Sequence, residues 1–370
     1  MLQAVFLFSF FIFVGTYLAY FFYLKRSVGK PWNIEVAEGF EPEISILIPA
    51  HNEEANIEPK LENMRNVCYP LEKMEIIVVD DASEDNTVSN VERFRFRYSD
   101  LNVKLLRQNP RAGKAAALNK ALRSSTKPIV IVSDADTRWP SDILKKAMPY
   151  LADAHVGAVT GRGVNVNAGA SWVTAAEESY LQLANFVRFA ESKIHSTIRF
   201  EGGFCAYKRS AFDVFDSETG SDDSGTALKV VLSGYRSIMV PELVFYTSFP
   251  PTLSAKLKTK VRRATQLIGL WVKCLKLLFR RNLSLPKRIA IPEIFLFLIN
   301  PLVFLILIAS SIALMVFQPL SPLSFLIILS VFGLLIVWRH AFIELLIDNI
   351  VLLGSLATFL LGRRYVHWGR

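Results

Sequence analysis

The chain is short of cysteine, of charge and of any glycine-rich phosphate loop. Its three cysteines, Cys68, Cys205 and Cys274, are odd in number and widely scattered. That excludes a disulfide framework and the paired spacings of a zinc site, and it fits a reducing compartment. No G-x-G-x-x-G follows the first predicted strand, which excludes the usual dinucleotide fold. No internal repeat is visible, which argues against a transporter. The first apolar run lacks a small-residue cleavage site, so it reads as a retained helix and not as a removed signal. Only 20% of the 370 residues are charged, against 52% hydrophobic.

The hydrophobic excess lies at the two ends. Leu2–Leu24 is almost uninterrupted and is followed by Lys25, Arg26 and Lys30. It reads as a membrane helix whose basic flank places the next segment in the cytoplasm. Ile291–Phe317 and Phe342–Leu361 are also long enough to span, and Leu323–Trp338 would span only where the bilayer thins. Four spans are expected, giving a multi-pass protein of the cell membrane. Arg363, Arg364 and Arg370 argue against an outer C-terminus, and a re-entrant third segment would return the tail to the inner side. The net charge of +9 concentrates near these boundaries, so membrane lipids and nucleotide phosphate are the expected partners, not nucleic acid. Thr252–Arg281 mixes Lys and Arg with apolar residues at helical spacing. It reads as an interfacial amphipathic helix with Trp271 and Phe279 at the lipid boundary, or else as a basic linker helix. Glu344 and Asp348 lie one helical turn apart; the favoured reading is a short cytosolic loop between the last two spans, the other an intramembrane functional pair. Four regions follow: 1–30, a membrane helix and its basic flank; 41–250, a cytosolic domain; 251–290, the interface helix; and 291–370, the C-terminal spans.

Between the ends, short β-branched runs alternate with helical stretches of about a dozen residues. Strands are predicted at Glu43–Pro49, Met74–Asp80, Asn102–Arg107, Pro128–Asp134, Val156–Gly161 and Cys205–Lys208. Helices are predicted from Ala50 to about Val67, at Asn86–Arg97, Ala112–Arg123 and about Val173–Lys193. This is an α/β domain with a mostly parallel sheet.

Two acidic clusters end predicted strands: VVDDAS, with Asp80 and Asp81, and IVSDAD, with Asp134 and Asp136. Open α/β sheets bind ligands at the carboxyl ends of their strands. An Asp-x-Asp there offers hard oxygen ligands to Mg2+ or Mn2+, the ions that neutralise a diphosphate. Each cluster also reads as a cap for the helix after it.

Further segments fall in a consistent order: ILIPAHNEE, VVDDASEDNT, RAGKAAALN, DAD, VGAVTGR, EGGFCAYKRS, GSDDSGTALKVVLSGYR and KVRRA. Together they resemble the inverting family 2 glycosyltransferases with a GT-A fold. The similarity is strongest to the membrane-embedded branch with the synthases of cellulose, hyaluronan and poly-N-acetylglucosamine. The resemblance implies that Pro49, His51 and Glu53 contact the nucleoside, with His51 where Tyr is usual. It implies that Asp80 or Asp81 reads base or ribose, that Arg111 and Lys114 meet the nucleotide or its phosphates, and that Asp136 holds the metal. Asp134 would hold ribose or a metal water. Glu201, Gly202, Gly203 and Phe204 would line the sugar and acceptor pocket. Asp223 falls on the catalytic base, Asp222 on the preceding acid, and Gly225 replaces a frequent second Asp. Arg263 is kept in KVRRA, while Lys260 and Ala264 replace Gln and Trp; loss of the Trp that stacks on the acceptor argues against long processive synthesis.

Glycosyl transfer requires a neutralised leaving diphosphate, an activated acceptor oxygen and exclusion of water. Metal on Asp136, with Lys114 and Arg263, would meet the first requirement, and Asp223 the second. The expected activity is metal-dependent, inverting transfer from a UDP-sugar to a saccharide or lipid-linked acceptor. Alternatives are a polyprenyl-phosphate sugar synthase, a processive synthase needing an oligomer or export partner, and a non-catalytic nucleotide-sugar sensor. As bland readings, Asp222 and Asp223 serve as helix caps, Lys114 as a solvated charge and Arg263 as an interfacial side chain.

Overall fold

The computed structural model describes residues 1–362, apart from the side chain of His340. Arg363, Arg364 and Arg370, on which the expectation about the tail rested, lie outside the described residues. The chain divides into two compact units, one of residues 30–167 and 188–249, the other of 1–29, 168–187 and 250–362.

The first unit is built on a seven-stranded sheet: β1 (Ile44–Ala50), β2 (Met74–Asp81), β3 (Val103–Gln108), β4 (Ile129–Val132), β5 (Val156–Asn165), β6 (Cys205–Lys208) and β7 (Arg236–Thr247). Their order is β3-β2-β1-β4-β6-β5-β7. Only β6 runs antiparallel to its neighbours, β4 and β5. Strands β1, β2 and β4 are buried along their whole length, which is why they read as continuous apolar runs. Helices α2 (Ile57–Arg65), α3 (Thr87–Arg97), α4 (Lys114–Ser124), α5 (Ile143–Leu151) and α7 (Asp222–Leu232) belong to the same unit.

The order of strands reverses direction at β1. From there the chain steps through β2 to β3 on one side and reaches β4 on the other. Such a switch point leaves a crevice at the carboxyl ends of the two central strands. Pairing of β1 with β4 stops at Leu47 and Val132. Pro49 therefore lies where β4 has already ended, and its missing N–H costs no bond to β4.

Helix α2 starts later than expected. Residues 51–56 form a turn, with Asn52 in the left-handed region at φ 55°. That turn is tied to the loop after β2: Asn52 N–H donates to Ser83 Oγ at 2.9 Å and Glu53 N–H to Thr87 Oγ1 at 2.8 Å. Helix α5 and strand β7 were not anticipated, because Pro149 and Pro241 interrupt their patterns. Pro241 is tolerated because β7 is an edge strand. Gly161, on β5, allows a close approach that a side chain would forbid, since a Cβ there would lie 2.3 Å from the Leu243 carbonyl oxygen.

The second unit is helical, with α1 (Leu2–Val28), the first part of α6 (Trp172–Ile194), α8 (Leu253–Phe279), α9 (Lys287–Ile294), a π-helical turn (Phe295–Ile299), α10 (Asn300–Phe317), α11 (Pro322–Val337) and α12 (Arg339–Leu360). Among the described residues, three stretches are long and apolar enough to cross a membrane: Leu2–Val28, Lys287–Phe317 and Ala341–Leu360. The fourth expected span, α11, has 16 residues, about 24 Å at the rise of an α-helix and short of a ~30 Å hydrocarbon core.

Two expectations about this unit are corrected. Trp271 does not face lipid: it is fully buried and stacks on Phe297, whereas Phe279 is 80% exposed. Glu344 and Asp348 do not lie in a loop: they belong to α12 and partner two lysines of α8. Lys256 pairs with Glu344 at 2.7 Å, and Lys260 pairs with Glu344 and, at 2.5 Å, with Asp348. Glu177 of α6 lies 3.6 and 3.5 Å from the two ammonium groups. Buried charges persist where they are paired, and here the acids of α12 and the lysines of α8 satisfy each other.

Candidate active site

Most of the residues singled out in the sequence converge on the crevice between β1 and β4. After β4, Asp134 and Asp136 occupy a tight turn from Ser133 to Thr137. The turn is fixed by Ser133 N–H donating to Leu47 O at 3.1 Å and Asp134 N–H donating to Gly202 O at 3.0 Å. Asp136 is exposed and Asp134 half-buried.

Lys114 begins α4 and is the hub. Its Nζ lies 2.9 Å from Asp134 Oδ1, 3.2 Å from Asp222 Oδ2 and 3.5 Å from Asp223 Oδ2, with the lysine side chain only 10% exposed. Burial lowers its pKa, but the three carboxylates outweigh burial and hold it well above the ordinary lysine value. Burial, reinforced by Asp222, pushes the Asp223 carboxyl well above the ordinary carboxylate range, with Lys114 opposing. Asp222 and Asp223 occupy the first turn of α7 without capping it; Ser221 is the N-cap residue. The cap reading of these two acids therefore gives way to a cluster of one cation and three carboxylates.

Gly202 makes this convergence possible. A Cβ there would fall 2.6 Å from both Asp134 Oδ2 and Lys114 Nζ, and 2.9 Å from Asp223 Oδ2. Gly225 has a comparable cause. A Cβ there would lie 2.4 Å from Asp216 Oδ2, so a buried carboxylate from elsewhere in the chain fills the space beside it. Asp216 accepts from Thr219 N–H at 2.9 Å and from Thr219 Oγ1 at 2.6 Å.

The first acidic pair is placed differently from the second. Asp81 is buried and accepts from Gln108 Nε2 at 2.7 Å, Ala112 N–H at 2.8 Å and Gly113 N–H at 2.9 Å. It anchors the loop that delivers Lys114, with Arg111 Nε 3.8 Å away. Asp80 is also buried, its oxygens 3.3 and 3.4 Å from Ser83 N–H. His51 Nδ1 is 2.8 Å from Asp81 O. A carbonyl only accepts, so Nδ1 carries the proton and Nε2 of the neutral ring is left as an acceptor. Glu53 accepts from Asn56 Nδ2 at 2.7 Å.

Of the expected sugar pocket, Glu201 pairs with the buried Arg188 at 2.8 Å, and Gly202 faces the cluster. Gly203 and Phe204 turn inward. A Cβ on Gly203 would meet the Phe245 ring at 2.2 Å, and Phe204 is fully buried edge-on to Trp139. Phe204 is thus a core residue, as the apolar strand that follows it requires. Arg263 is exposed on α8, in the other unit.

Sequence reasoning missed Lys60, Arg188 and Asp216. Lys60 had a signal: Ile57, Lys60, Leu61 and Met64 follow the i, i+3, i+4, i+7 spacing of a buried helix face, and all four are buried.

The donor set fits a divalent cation brought in with a diphosphate. Mg2+ and Mn2+ sites of that kind use one or two carboxylates and complete the shell with phosphate oxygens and water. Asp134 and Asp136 supply that number, and among the described residues no group of three or more His, Cys, Asp or Glu side chains could hold a metal alone.

The chain matches the glycosyl transferase family 2 profile over residues 45–215. It is 28% identical over 202 residues to the beta-monoglucosyldiacylglycerol synthase of Synechocystis, a match covering 53% of this chain and 41% of that protein. It is 29% identical over 259 residues to the poly-beta-1,6-N-acetyl-D-glucosamine synthase of Staphylococcus aureus, covering 66% and 60%. The chain thus spans about half the length of these curated relatives. One solved structure matches from end to end: the mannosyltransferase PcManGT of Pyrobaculum calidifontis, in complex with GDP-Man and Mn2+. It has TM-score 0.85 and 30% identity, and the match covers 98% of this chain and all of that one. With that profile match and a similarity to a solved glycosyltransferase that runs the full length, this chain belongs to glycosyl transferase family 2.

Proposed function

We propose that this glycosyltransferase moves one sugar, with inversion, from a nucleoside-diphosphate sugar to a hydroxyl of a saccharide or lipid-linked saccharide at the cytosolic face of a membrane. The observation that carries the proposal is the Lys114 ammonium set among Asp134, Asp222 and Asp223. One ammonium and three carboxylates at one point support a diphosphate cation, a metal ligand and a base acting together.

Asp136 and Asp134 would hold Mg2+ or Mn2+, which supplies charge neutralisation of the leaving diphosphate. Lys114 shares that load and, on meeting the phosphates, loosens its hold on Asp223. Asp223 then takes the proton of the acceptor hydroxyl as that oxygen bonds to the anomeric carbon. The bond from that carbon to the phosphate oxygen breaks on the opposite face, and the nucleoside diphosphate departs. A base raised above the ordinary carboxylate range suits this step, because its pKa lies nearer the working pH. The acceptor atom of His51 suits a base with a ring N–H, which fits either the UDP-sugar suggested by the motifs or a GDP-sugar such as PcManGT binds.

A hydroxyl acceptor needs the base, whereas a lipid phosphate is already ionised and does not. The test is transfer of labelled sugar from the donor to extracted membrane lipids by the wild type and Asp223→Asn. Loss of the glycolipid product, with donor binding kept, supports a hydroxyl acceptor. Transfer at the wild-type rate removes Asp223 from the mechanism and leaves a polyprenyl phosphate as the acceptor.

A further inference from the structure

Directly behind the turn that carries Asp134 and Asp136 lies a lysine with no exposed surface. Lys60 projects from the buried face of α2. Its Nζ lies within hydrogen-bond distance of three acceptors: Ser133 Oγ at 2.6 Å, Thr137 O at 3.1 Å and Thr137 Oγ1 at 3.4 Å. The ammonium also sits 4.5 Å above the Trp139 ring. Among the described residues it forms no ion pair with a carboxylate. Burial in such surroundings is unfavourable for a cation, and burial, aided by Arg138, holds its pKa well below the ordinary lysine value.

The acceptors are the two residues that bracket Asp134–Asp136, so Lys60 closes the turn from behind. The same knot reaches the neighbouring loop. Ser133 Oγ donates to Gly203 O at 3.2 Å and Trp139 Nε1 to the same oxygen at 2.7 Å. Asn63, one turn along α2, clasps the Trp139 backbone with two bonds of 2.8 Å. Helix α2 therefore grips the acidic turn and the Gly202–Gly203 loop at once.

We propose that Lys60 is a positioning residue of the metal–nucleotide site, fixing the direction in which the Asp134 and Asp136 carboxylates leave their turn. The proposal rests on the reading of those acids as metal ligands. A purely stabilising role would lower the melting temperature alone, since losing Nζ leaves the buried Ser133 and Thr137 acceptors unpaired; a positioning role changes metal affinity in the folded protein as well. Groups that orient metal ligands from behind typically change metal affinity about 10–100-fold when removed.

The test is Mn2+ binding by the full chain in detergent, followed by electron paramagnetic resonance with UDP or GDP present and no acceptor, so that no turnover enters. Lys60→Met, which leaves the Ser133 and Thr137 acceptors unpaired, should melt lower than the wild type, and the protein that is folded should bind Mn2+ about 10–100-fold more weakly. Lys60→Gln, which keeps N–H donors without the charge, should recover part of the loss. Affinity within twofold of the wild type, or tighter, in folded Lys60→Met overturns the proposal. Should Lys60→Met not fold, Ser133→Ala and Thr137→Val decide in its place, and unchanged affinity in both overturns it. A wild type that binds no Mn2+ with either nucleotide overturns the metal reading itself, a different result from an unaffected Lys60→Met.

Discussion

Gly202→Ala should separate the chemistry from the fold. Its Cβ would stand 2.6 Å from Asp134 Oδ2 and Lys114 Nζ, where ordinary contact begins at 3.4 Å. The two side-chain ends must therefore retreat by about 0.8 Å, and Asp223 Oδ2, at 2.9 Å, must follow. They are flexible ends in a partly open crevice, and Gly202 is not in the left-handed region, so the fold should tolerate the methyl. Catalytic groups must be held within about 0.5 Å of productive geometry, and a misplacement near 1 Å costs about 10²-fold in rate. The expected result is a kcat for metal-dependent nucleotide release lowered about 10²-fold, with Tm within a few degrees of the wild type. Gly203→Ala is the control. Its Cβ would lie 2.2 Å from the buried Phe245 ring, and overpacking of that kind costs about 1–3 kcal/mol. It should lower Tm while the folded fraction keeps its kcat. A Gly202→Ala enzyme with wild-type kcat, or one that loses activity only as it loses folded protein, would show that the cluster beside Gly202 does not set the rate.

Further outcomes follow from the same geometry. Asp223→Asn should lower transfer about 10²–10⁴-fold and should also raise thermal stability at neutral pH. The folded chain holds the Asp223 proton to higher pH than the unfolded chain, so stability falls as pH rises from the ordinary carboxylate value through the raised one, and the amide removes that slope. Asp222→Asn removes one of the charges that raise Asp223, after burial itself, so the acidic limb of the kcat profile should move to lower pH. Glu344→Gln deprives Lys256 and Lys260 of a shared partner and should cost about 3 kcal/mol, read as a lower midpoint of thermal unfolding in detergent.

The sheet was legible because β1, β2 and β4 are buried on both faces and read as unbroken apolar runs. Strand β7 was not, because Pro241 sits inside it and only the edge position makes that tolerable. Asp134, Asp136 and Lys114 could be named from pattern, since a metal and a diphosphate demand those groups at strand ends and helix starts. Their meeting with Asp222 and Asp223 could not, since it depends on Gly202 allowing two distant loops to touch. The loop contacts of Asp81 and the burial of Phe204 could not be read from the sequence for a related reason. A motif records residue type, whereas burial decides whether a carboxylate anchors a loop or a ring fills the core. Lys260 looked like a departure from pattern, and Glu344 with Asp348 like a loop, until their pairing explained all three.

Asp136 and a divalent cation are expected to be needed to expel nucleotide from a sugar donor. The direct measurement is nucleotide release by the purified full chain from UDP-, GDP- and dTDP-sugars, with Mn2+, Mg2+ or chelator, beside Asp136→Ala. Release is expected from one donor class, and it should disappear with chelator and in the mutant. Release that survives both would contradict this expectation, as would nucleotide binding without release even when membrane lipids and oligosaccharides are supplied.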